Sequence, residues 1–152
     1  LWHTQQVARP TEPLGSGART WHRTGDVGHL DTHGNLWIEG RVQHVIHTPK
    51  GMVTPVPLEV AAEAVPGVER AAAVGIGPTG VQQVVLVLET GSNEDGPATA
   101  ALATAVRAAV APQDVAAVWT VKHLPVDIRH NAKIDRTALG ATMGRVLSGS
   151  SR

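Results

Sequence analysis

The sequence contains no cysteine, which excludes disulfide bonds and thiolate metal sites. It also contains no phenylalanine and no tyrosine, so its only large apolar aromatic side chains are four tryptophans. Alanine and valine must therefore supply most of the apolar surface of a core. Because cysteine usage places no constraint on the compartment, a cytoplasmic location is the default expectation.

An excess of charge of either sign is also absent, since Lys and Arg total 13 and Asp and Glu total 13. A nucleic-acid-binding protein normally shows a basic excess or stripe, so nucleic acid is not predicted as a partner. No apolar run reaches about 18 residues and no signal peptide is visible, so no membrane span is predicted. The 152 residues suffice for one domain, or for a small domain plus a fragment. The start, Leu-Trp-His, is untypical of a natural amino terminus, so we expect a piece of something longer.

The order of apolar patterns predicts an α+β fold, with a small, mainly antiparallel three-stranded sheet packed with helices and preceded by β-hairpins. The hairpins are expected around the turns 31–35 and 49–51, which contain glycine. Helical spacing and turn formers then predict helices and strands along the rest of the chain. The expected helices are 55–65, 97–111 and a short one from about 135, and the expected strands are 68–76, 81–89 and 115–123.

Two polar residues near the first hairpin are candidates for nucleotide contacts. Asp26 follows Gly25, which adds no side-chain bulk, and its two carboxylate oxygens match the two hydroxyls of a ribose. The alternative is an aspartate that accepts hydrogen bonds within a turn. Arg41 lies at the junction between the two hairpins and could donate to ribose or phosphate oxygens, or it could be an ordinary surface arginine.

Two further candidates lie in the rest of the chain. Gly51 occupies the turn of the second hairpin, where a plain turn glycine is the alternative. Lys133 lies in the polar segment 129–136, and a lysine on a loop can act as a point charge on a phosphate or carboxylate. The alternative for this segment is a solvated run of charges.

Eight histidines raise the question of a metal site. His29 with His33 and His44 with His47 lie in the hairpins, but no carboxylate or thiolate completes a ligand spacing, so no metal site is predicted. A phosphate-binding P-loop, a dinucleotide-binding fingerprint and a nucleophile elbow are likewise absent from the sequence.

Taken in order, four motifs between Trp21 and Leu139 resemble those of the adenylate-forming superfamily. That superfamily includes acyl-CoA synthetases, peptide-synthetase adenylation domains and luciferases. The motifs are Trp21-His-Arg-Thr-Gly-Asp26, Gly34-Asn-Leu-Trp-Ile-Glu-Gly-Arg41, Pro55-Val-Pro-Leu-Glu59 and Asn131-Ala-Lys-Ile-Asp-Arg136.

The resemblance implies a role for each candidate. Asp26 would bind the ribose, Arg41 would contact the nucleotide, Gln43 would be the hinge, Lys133 would be the catalytic lysine, and Gly51 would lie in the hairpin used for the second half-reaction. ATP would be consumed, with Mg²⁺ bound mainly by the large amino-terminal domain of the family.

The resemblance also implies a domain organisation. Residues 1–40 would finish the large domain, residues 41–142 would form the small mobile domain, and residues 143–152 would be a flexible tail. The phosphate-binding loop and acid pocket of the family lie upstream, so this chain alone is expected to be inactive, and its own amino-terminal domain is an implied partner.

Departures from the family pattern narrow the implied activity. The glycine of the second hairpin is displaced by one residue, which argues against CoA as the acceptor. The segment from Leu124 to Ile134 is similar to that of the olefin-pathway β-lactone synthetases. This branch implies a long-chain 2-alkyl-3-hydroxy acid as substrate, with other olefin-pathway enzymes as possible partners. A fatty acyl-CoA synthetase and a non-catalytic α+β regulatory module are the alternatives.

Overall fold

The computed structural model describes residues 24–92, 95–127 and 133–149, which form ten strands and three α-helices. The described residues up to Gln43 make one compact unit and those from His44 make a second. The strands are β1 (Asp26–Leu30), β2 (Leu36–Arg41), β3 (Ile46–Thr48), β4 (Gly51–Val53), β5 (Arg70–Ile76), β6 (Gln83–Glu89), β7 (Gly96–Pro97), β8 (Ala117–Val121), β9 (Val126–Asp127) and β10 (Lys133–Ile134). The helices are α1 (Pro55–Glu63), α2 (Ala100–Ala109) and α3 (Arg136–Leu147). The predicted α+β class is confirmed.

The first unit is a hairpin of β1 and β2, as predicted from the turn at 31–35. Asp31 shapes the turn, because its carboxylate accepts hydrogen bonds from the backbone N–H groups of His33 and Asn35, both at 2.9 Å, and from Trp37 Nε1 at 3.0 Å. The bond from Trp37 contributes most to holding the pKa of Asp31 well below its ordinary value. The hydrogen bonds of the Asp31 carboxylate therefore hold together the turn that connects the two strands.

The second unit contains a sheet in the order β5-β6-β8-β7. β5 and β6 are antiparallel, as are β7 and β8, but β6 and β8 run parallel. The three predicted strands are present and each is shorter than its predicted span. The structure adds the two-residue strand β7, which the sequence pattern did not predict because two residues carry no periodicity.

Both faces of this sheet are covered, which explains the uninterrupted apolar runs of β5 and β6. Alternate residues such as Ala73 and Leu86 pack with α1 and α2, whereas Ala72 and Val85 pack with α3. The small alanines of β5 allow helices to approach closely on either side. The absence of phenylalanine and tyrosine is therefore compatible with a packed core.

The helix ends differ somewhat from the prediction. α1 begins at Pro55 and ends at Glu63, just before Pro66 and Gly67. α3 is longer than the predicted short helix and continues to Leu147. The first residues of the predicted tail, 143–152, therefore lie within this helix. Met143 is only 1% exposed and packs in the core. No helix in the described ranges is long and apolar enough to cross a membrane.

Two glutamates on α1 contact the edge strand of the sheet. Glu63 Oε1 accepts a hydrogen bond from the backbone N–H of Ala71, and Glu59 Oε1 accepts one from Ala73, each at 2.9 Å. Because they are four residues apart, the two glutamates share one face of α1. The structure shows that this face lies over the outer N–H groups of β5.

Candidate active site

Asp26 and Arg41 are brought together by the pairing of β1 with β2, where they are direct cross-strand partners. Arg41 Nη1 donates to Asp26 Oδ1 at 2.9 Å. The side chains remain accessible, with 30% of Asp26 and 56% of Arg41 exposed. The pair presents a carboxylate, which accepts hydrogen bonds from hydroxyls, next to a guanidinium, which donates to phosphate or ribose oxygens.

The backbone around this pair is held by turn contacts. Gly25 adopts a positive φ of 76°, a conformation that favours glycine. Its carbonyl accepts a hydrogen bond from Val42 N at 2.9 Å, and Asp26 N donates to Thr24 Oγ1 at 3.2 Å. Thr24 and Gly25 thus help to hold the backbone of Asp26 in place, which gives a structural reason for the Thr-Gly-Asp sequence.

Gln43, the predicted hinge residue, lies in a 3₁₀ turn formed by Val42–His44 and is exposed. The boundary between the two compact units falls directly after it.

Gly51 lies at the turn of the hairpin that β3 and β4 form. Its φ is 126°, and a side chain there would meet no atom within 4 Å, so only the backbone conformation requires glycine. Thr48 Oγ1 donates to the Gly51 carbonyl at 2.8 Å. The Lys50 ammonium forms an ion pair with Asp114 in the loop before β8. Sequence reasoning missed this contact, since 64 residues separate the two side chains.

A cleft of about 270 Å³ adjoins the Gly51 turn. It is lined by residues 48–50 of the turn, 82–84 at the start of β6 and 113–116 before β8. The lining comes from three separate stretches of chain, so no local sequence signal could have predicted it.

Lys133 lies in β10 and is exposed. β10 pairs antiparallel with β9, so that Lys133 is opposite Asp127, and this small ladder is separate from the four-stranded sheet. The next residue, Ile134, packs against the core beside α3. Asp135 then donates its N–H to the Pro125 carbonyl at 2.8 Å and accepts from Ala138 N at 2.9 Å as the cap of α3. An accessible ammonium is therefore placed directly before a well-anchored segment.

Glu89 anchors the chain that leads into β9. Its carboxylate accepts a hydrogen bond from Leu124 N and lies 3.2 Å from His123 Nδ1, with Arg70 Nη1 at 4.0 Å. Burial by itself raises the pKa of Glu89, but these donors together outweigh burial and lower the pKa below its ordinary value.

Arg136 is the main residue that sequence reasoning did not single out. Its Nε and Nη2 donate to Glu59 Oε1 at 3.0 Å and to Oε2 at 2.6 Å, a two-pronged ion pair. Glu59 is only 6% exposed. Both residues belong to motifs of the family resemblance, but neither motif indicates that one contacts the other.

Several predicted features lie outside the described residues, namely Trp21 and residues 129–132.

Within the ranges that are described, no three His, Asp or Glu side chains converge on a position suited to a metal ion. Asp26, Arg41 and Gln43 belong to the first unit, whereas Gly51 and Lys133 belong to the second.

Comparison with known proteins places this arrangement in a family. No protein-family model matches the sequence. An olefin beta-lactone synthetase from Xanthomonas campestris is 41% identical over 125 residues, which are 80% of this chain and 22% of that protein. One from Stenotrophomonas maltophilia is 39% identical over 136 residues, or 88% of this chain and 25% of that protein. The chain belongs to the adenylate-forming superfamily. It spans about a quarter of the length of these two relatives.

Solved structures of this superfamily share the fold. The amide bond synthetase McbA from Marinactinospora thermotolerans matches with a TM-score of 0.68 and 26% identity, covering 83% of this chain and 25% of McbA. An ATP-bound MatB chimera matches with a TM-score of 0.64 and 25% identity, covering 81% of this chain and 25% of the chimera.

A shorter stretch of the sequence also matches another kind of enzyme. A long-chain-fatty-acid–CoA ligase from Mycobacterium tuberculosis is 38% identical over 56 residues, 37% of this chain and 11% of that ligase.

Proposed function

We propose that this chain is the carboxy-terminal part of an ATP-dependent enzyme that activates a carboxylic acid as its acyl-AMP. The complete protein is proposed to be a β-lactone synthetase acting on long-chain 2-alkyl-3-hydroxy acids. The observation that carries this proposal is the identity of about 40% with two olefin beta-lactone synthetases, which extends over most of the chain. The ATP bound to a structural relative supports the use of ATP.

In the first step, a carboxylate oxygen of the substrate attacks the α-phosphorus of ATP, and pyrophosphate leaves. Negative charge accumulates around the phosphorus, and the Lys133 ammonium is proposed to stabilise it electrostatically. Asp26 is proposed to hold the ribose hydroxyls, while Arg41 contacts the nucleotide and limits its orientation. Mg²⁺ is proposed to be bound mainly by the large amino-terminal domain, where it would screen the phosphate charges.

In the second step, the β-hydroxyl of the same substrate attacks the activated carbonyl carbon. The bond to AMP breaks, the hydroxyl proton is released, and a four-membered lactone forms. The mixed anhydride supplies the free energy for closing the strained ring, and no CoA is consumed.

The proposed organisation has the small domain starting after residue 40 and reorienting about Gln43. One orientation presents Lys133 for adenylation, and another presents the Gly51 hairpin for the second step. The rest of the amino-terminal domain, which supplies the acid pocket, is the proposed partner, and other olefin-pathway enzymes are further proposed partners. A cytoplasmic location and inactivity of this chain by itself stay predictions.

A fatty acyl-CoA synthetase is the second candidate function. The match to a long-chain-fatty-acid–CoA ligase favours it, although that match covers only 37% of the chain. The two candidates separate when a long-chain 3-hydroxy acid and ATP are supplied to the complete protein without CoA. Release of AMP together with a β-lactone supports lactone synthesis, whereas product formation that requires CoA supports the ligase.

The role of Lys133 is tested with Lys133→Ala in the complete protein. We expect ATP–pyrophosphate exchange to fall by about 10²–10³-fold, as for loss of a preorganised charge contact. Conversion of supplied acyl-AMP should remain near normal, because the phosphate chemistry is then already complete. Lys122→Ala is the matched control, since Lys122 is another exposed lysine of the same unit. Normal exchange by Lys133→Ala would refute the assigned role.

A further inference from the structure

We propose that Arg136, through its ion pair with Glu59, is a positioning residue for the adenylation step. The pair fixes the start of α3 and thereby the segment that presents Lys133. This inference rests on the proposed role of Lys133 and names the element that holds that lysine in place.

The ion pair connects two helices that lie on opposite faces of the sheet. Glu59 is on α1 and Arg136 is the first residue of α3, so their contact passes the edge strand β5. Both oxygens of Glu59 are bound by the guanidinium, and Oε1 also accepts the Ala73 N–H of β5 at 2.9 Å. One buried carboxylate thus connects α1, β5 and α3.

The chain between this contact and Lys133 is short. Lys133 lies three residues before Arg136, which corresponds to at most roughly 10 Å of extended chain. Ile134 is packed against the core and Asp135 is hydrogen bonded to the Pro125 carbonyl. Lys133 itself is exposed. The ammonium is therefore carried by a flexible side chain whose backbone is fixed from one side.

The burial of the pair explains why it would fix this segment. The side chains are only 8% exposed for Glu59 and 19% for Arg136. Removing the guanidinium leaves the Glu59 charge buried without its main partner, which is strongly unfavourable. The start of α3 is then held only by its remaining contacts, chiefly those of Ile134 and Asp135, so that the proposal expects Lys133 to be positioned less precisely.

The test compares three variants of the complete protein in the two half-reactions. Arg136→Met removes the ion pair while keeping side-chain length. Arg136→Lys keeps the charge but loses the two-pronged geometry. Glu63→Gln is the matched control, because Glu63 on the same helix accepts a hydrogen bond from β5 at 2.9 Å, while no hydrogen bond or ion pair among the described residues joins it to α3.

We expect Arg136→Met to lower kcat for ATP–pyrophosphate exchange by about 10–100-fold, the scale of a misplaced catalytic group. Turnover of supplied acyl-AMP should change by less than about twofold, since Lys133 has no role there. Arg136→Lys should restore part of the exchange rate. Glu63→Gln should leave both half-reactions within about twofold of the parent.

An equal loss in both half-reactions, or an equal loss in Glu63→Gln, would overturn the inference, because it would show general destabilisation. Unchanged exchange in Arg136→Met, with exchange lost in Lys133→Ala, would also overturn it while leaving the proposed function standing. If exchange survives in Lys133→Ala, the role of Lys133 fails and this inference fails with it. Should Arg136→Met not fold, a selective loss of exchange in Arg136→Lys supports the inference and an equal loss in both half-reactions overturns it.

Discussion

The two compact units are built by different physical means. Among the described residues 24–43 none is buried, and Leu30, Leu36, Trp37 and Ile38 are all more than half exposed. The buried hydrophobic residues of the described chain lie between Ile46 and Met143. The first unit is therefore ordered by turn contacts and cross-strand pairs, whereas the second is ordered by packing on both faces of a sheet.

This difference suits the proposed roles of the two units. Asp26 and Arg41 occupy a hairpin whose polar contacts set their spacing directly. Lys133 lies at the rim of a packed unit, where the core can hold the backbone while leaving the side chain accessible. The three predictions below test this comparison, in order of expected effect.

The largest effect is expected from truncating a buried leucine of the second unit, and truncation of an exposed leucine of the first unit is the comparison. Leu86→Ala removes a fully buried side chain, and we expect a loss of about 2–5 kcal/mol in the free energy of unfolding. Leu36→Ala removes one that is 64% exposed, and the loss should stay below about 0.5 kcal/mol. Urea unfolding of both variants measures the difference. Similar losses would show that the second unit does not owe its stability to its core.

A smaller effect is expected for nucleotide binding by the first unit. Asp26→Ala in the complete protein should weaken ATP binding by about 10–100-fold, because charge-assisted hydrogen bonds to hydroxyls contribute roughly 1.5–3 kcal/mol. Titration calorimetry gives the Kd. Glu39→Gln is the control, since Glu39 lies in the same hairpin and forms a different ion pair, with His29 at 2.7 Å. If both variants bind ATP equally weakly, Asp26 acts through the hairpin and not on the nucleotide.

The smallest effect concerns the acid stability of the second unit. The pKa of Glu89 is below its ordinary value of 4.5 in the folded protein, so its carboxylate stabilises the fold above that pH. This contribution is lost as the pH falls through the lower folded pKa. We expect Glu89→Gln to cost about 1 kcal/mol near neutral pH, where the charged hydrogen bonds are intact.

The difference in stability between the parent chain and Glu89→Gln should therefore shrink as the pH falls below about 4.5. Denaturant unfolding at a series of pH values measures it. A difference that grows toward acid pH would mean that the sign of the pKa shift has been assigned wrongly.

Much of the fold could be predicted because its signals are local. The runs of β5 and β6 indicate strands buried on both faces, and the Asp31 turn indicates a hairpin. The parallel pairing of β6 with β8 could not be predicted, since the strand patterns do not determine pairing direction. The cleft beside Gly51 is also non-local in origin.

The candidate site shows the same limit. The hairpin around 31–35 was predicted, but the direct pairing of Asp26 with Arg41 was not, because Arg41 was expected at the junction between the two hairpins. The contact between Glu59 and Arg136 joins residues 77 positions apart, through a helix face that looks solvent-exposed from its spacing alone. Only the packing of α1 against β5 shows that this face is buried.

The contacts of Glu59 and Glu63 with β5 have a consequence for self-association. A sheet edge with unpaired N–H groups can template the addition of a foreign strand. At β5 the N–H groups of Ala71 and Ala73 are already bound to carboxylates. The opposite edge is the two-residue strand β7, where Pro97 has no N–H to offer. A sheet with both edges covered in this way offers few free N–H groups to a foreign strand, which would be an advantage for the reorientation proposed for this unit.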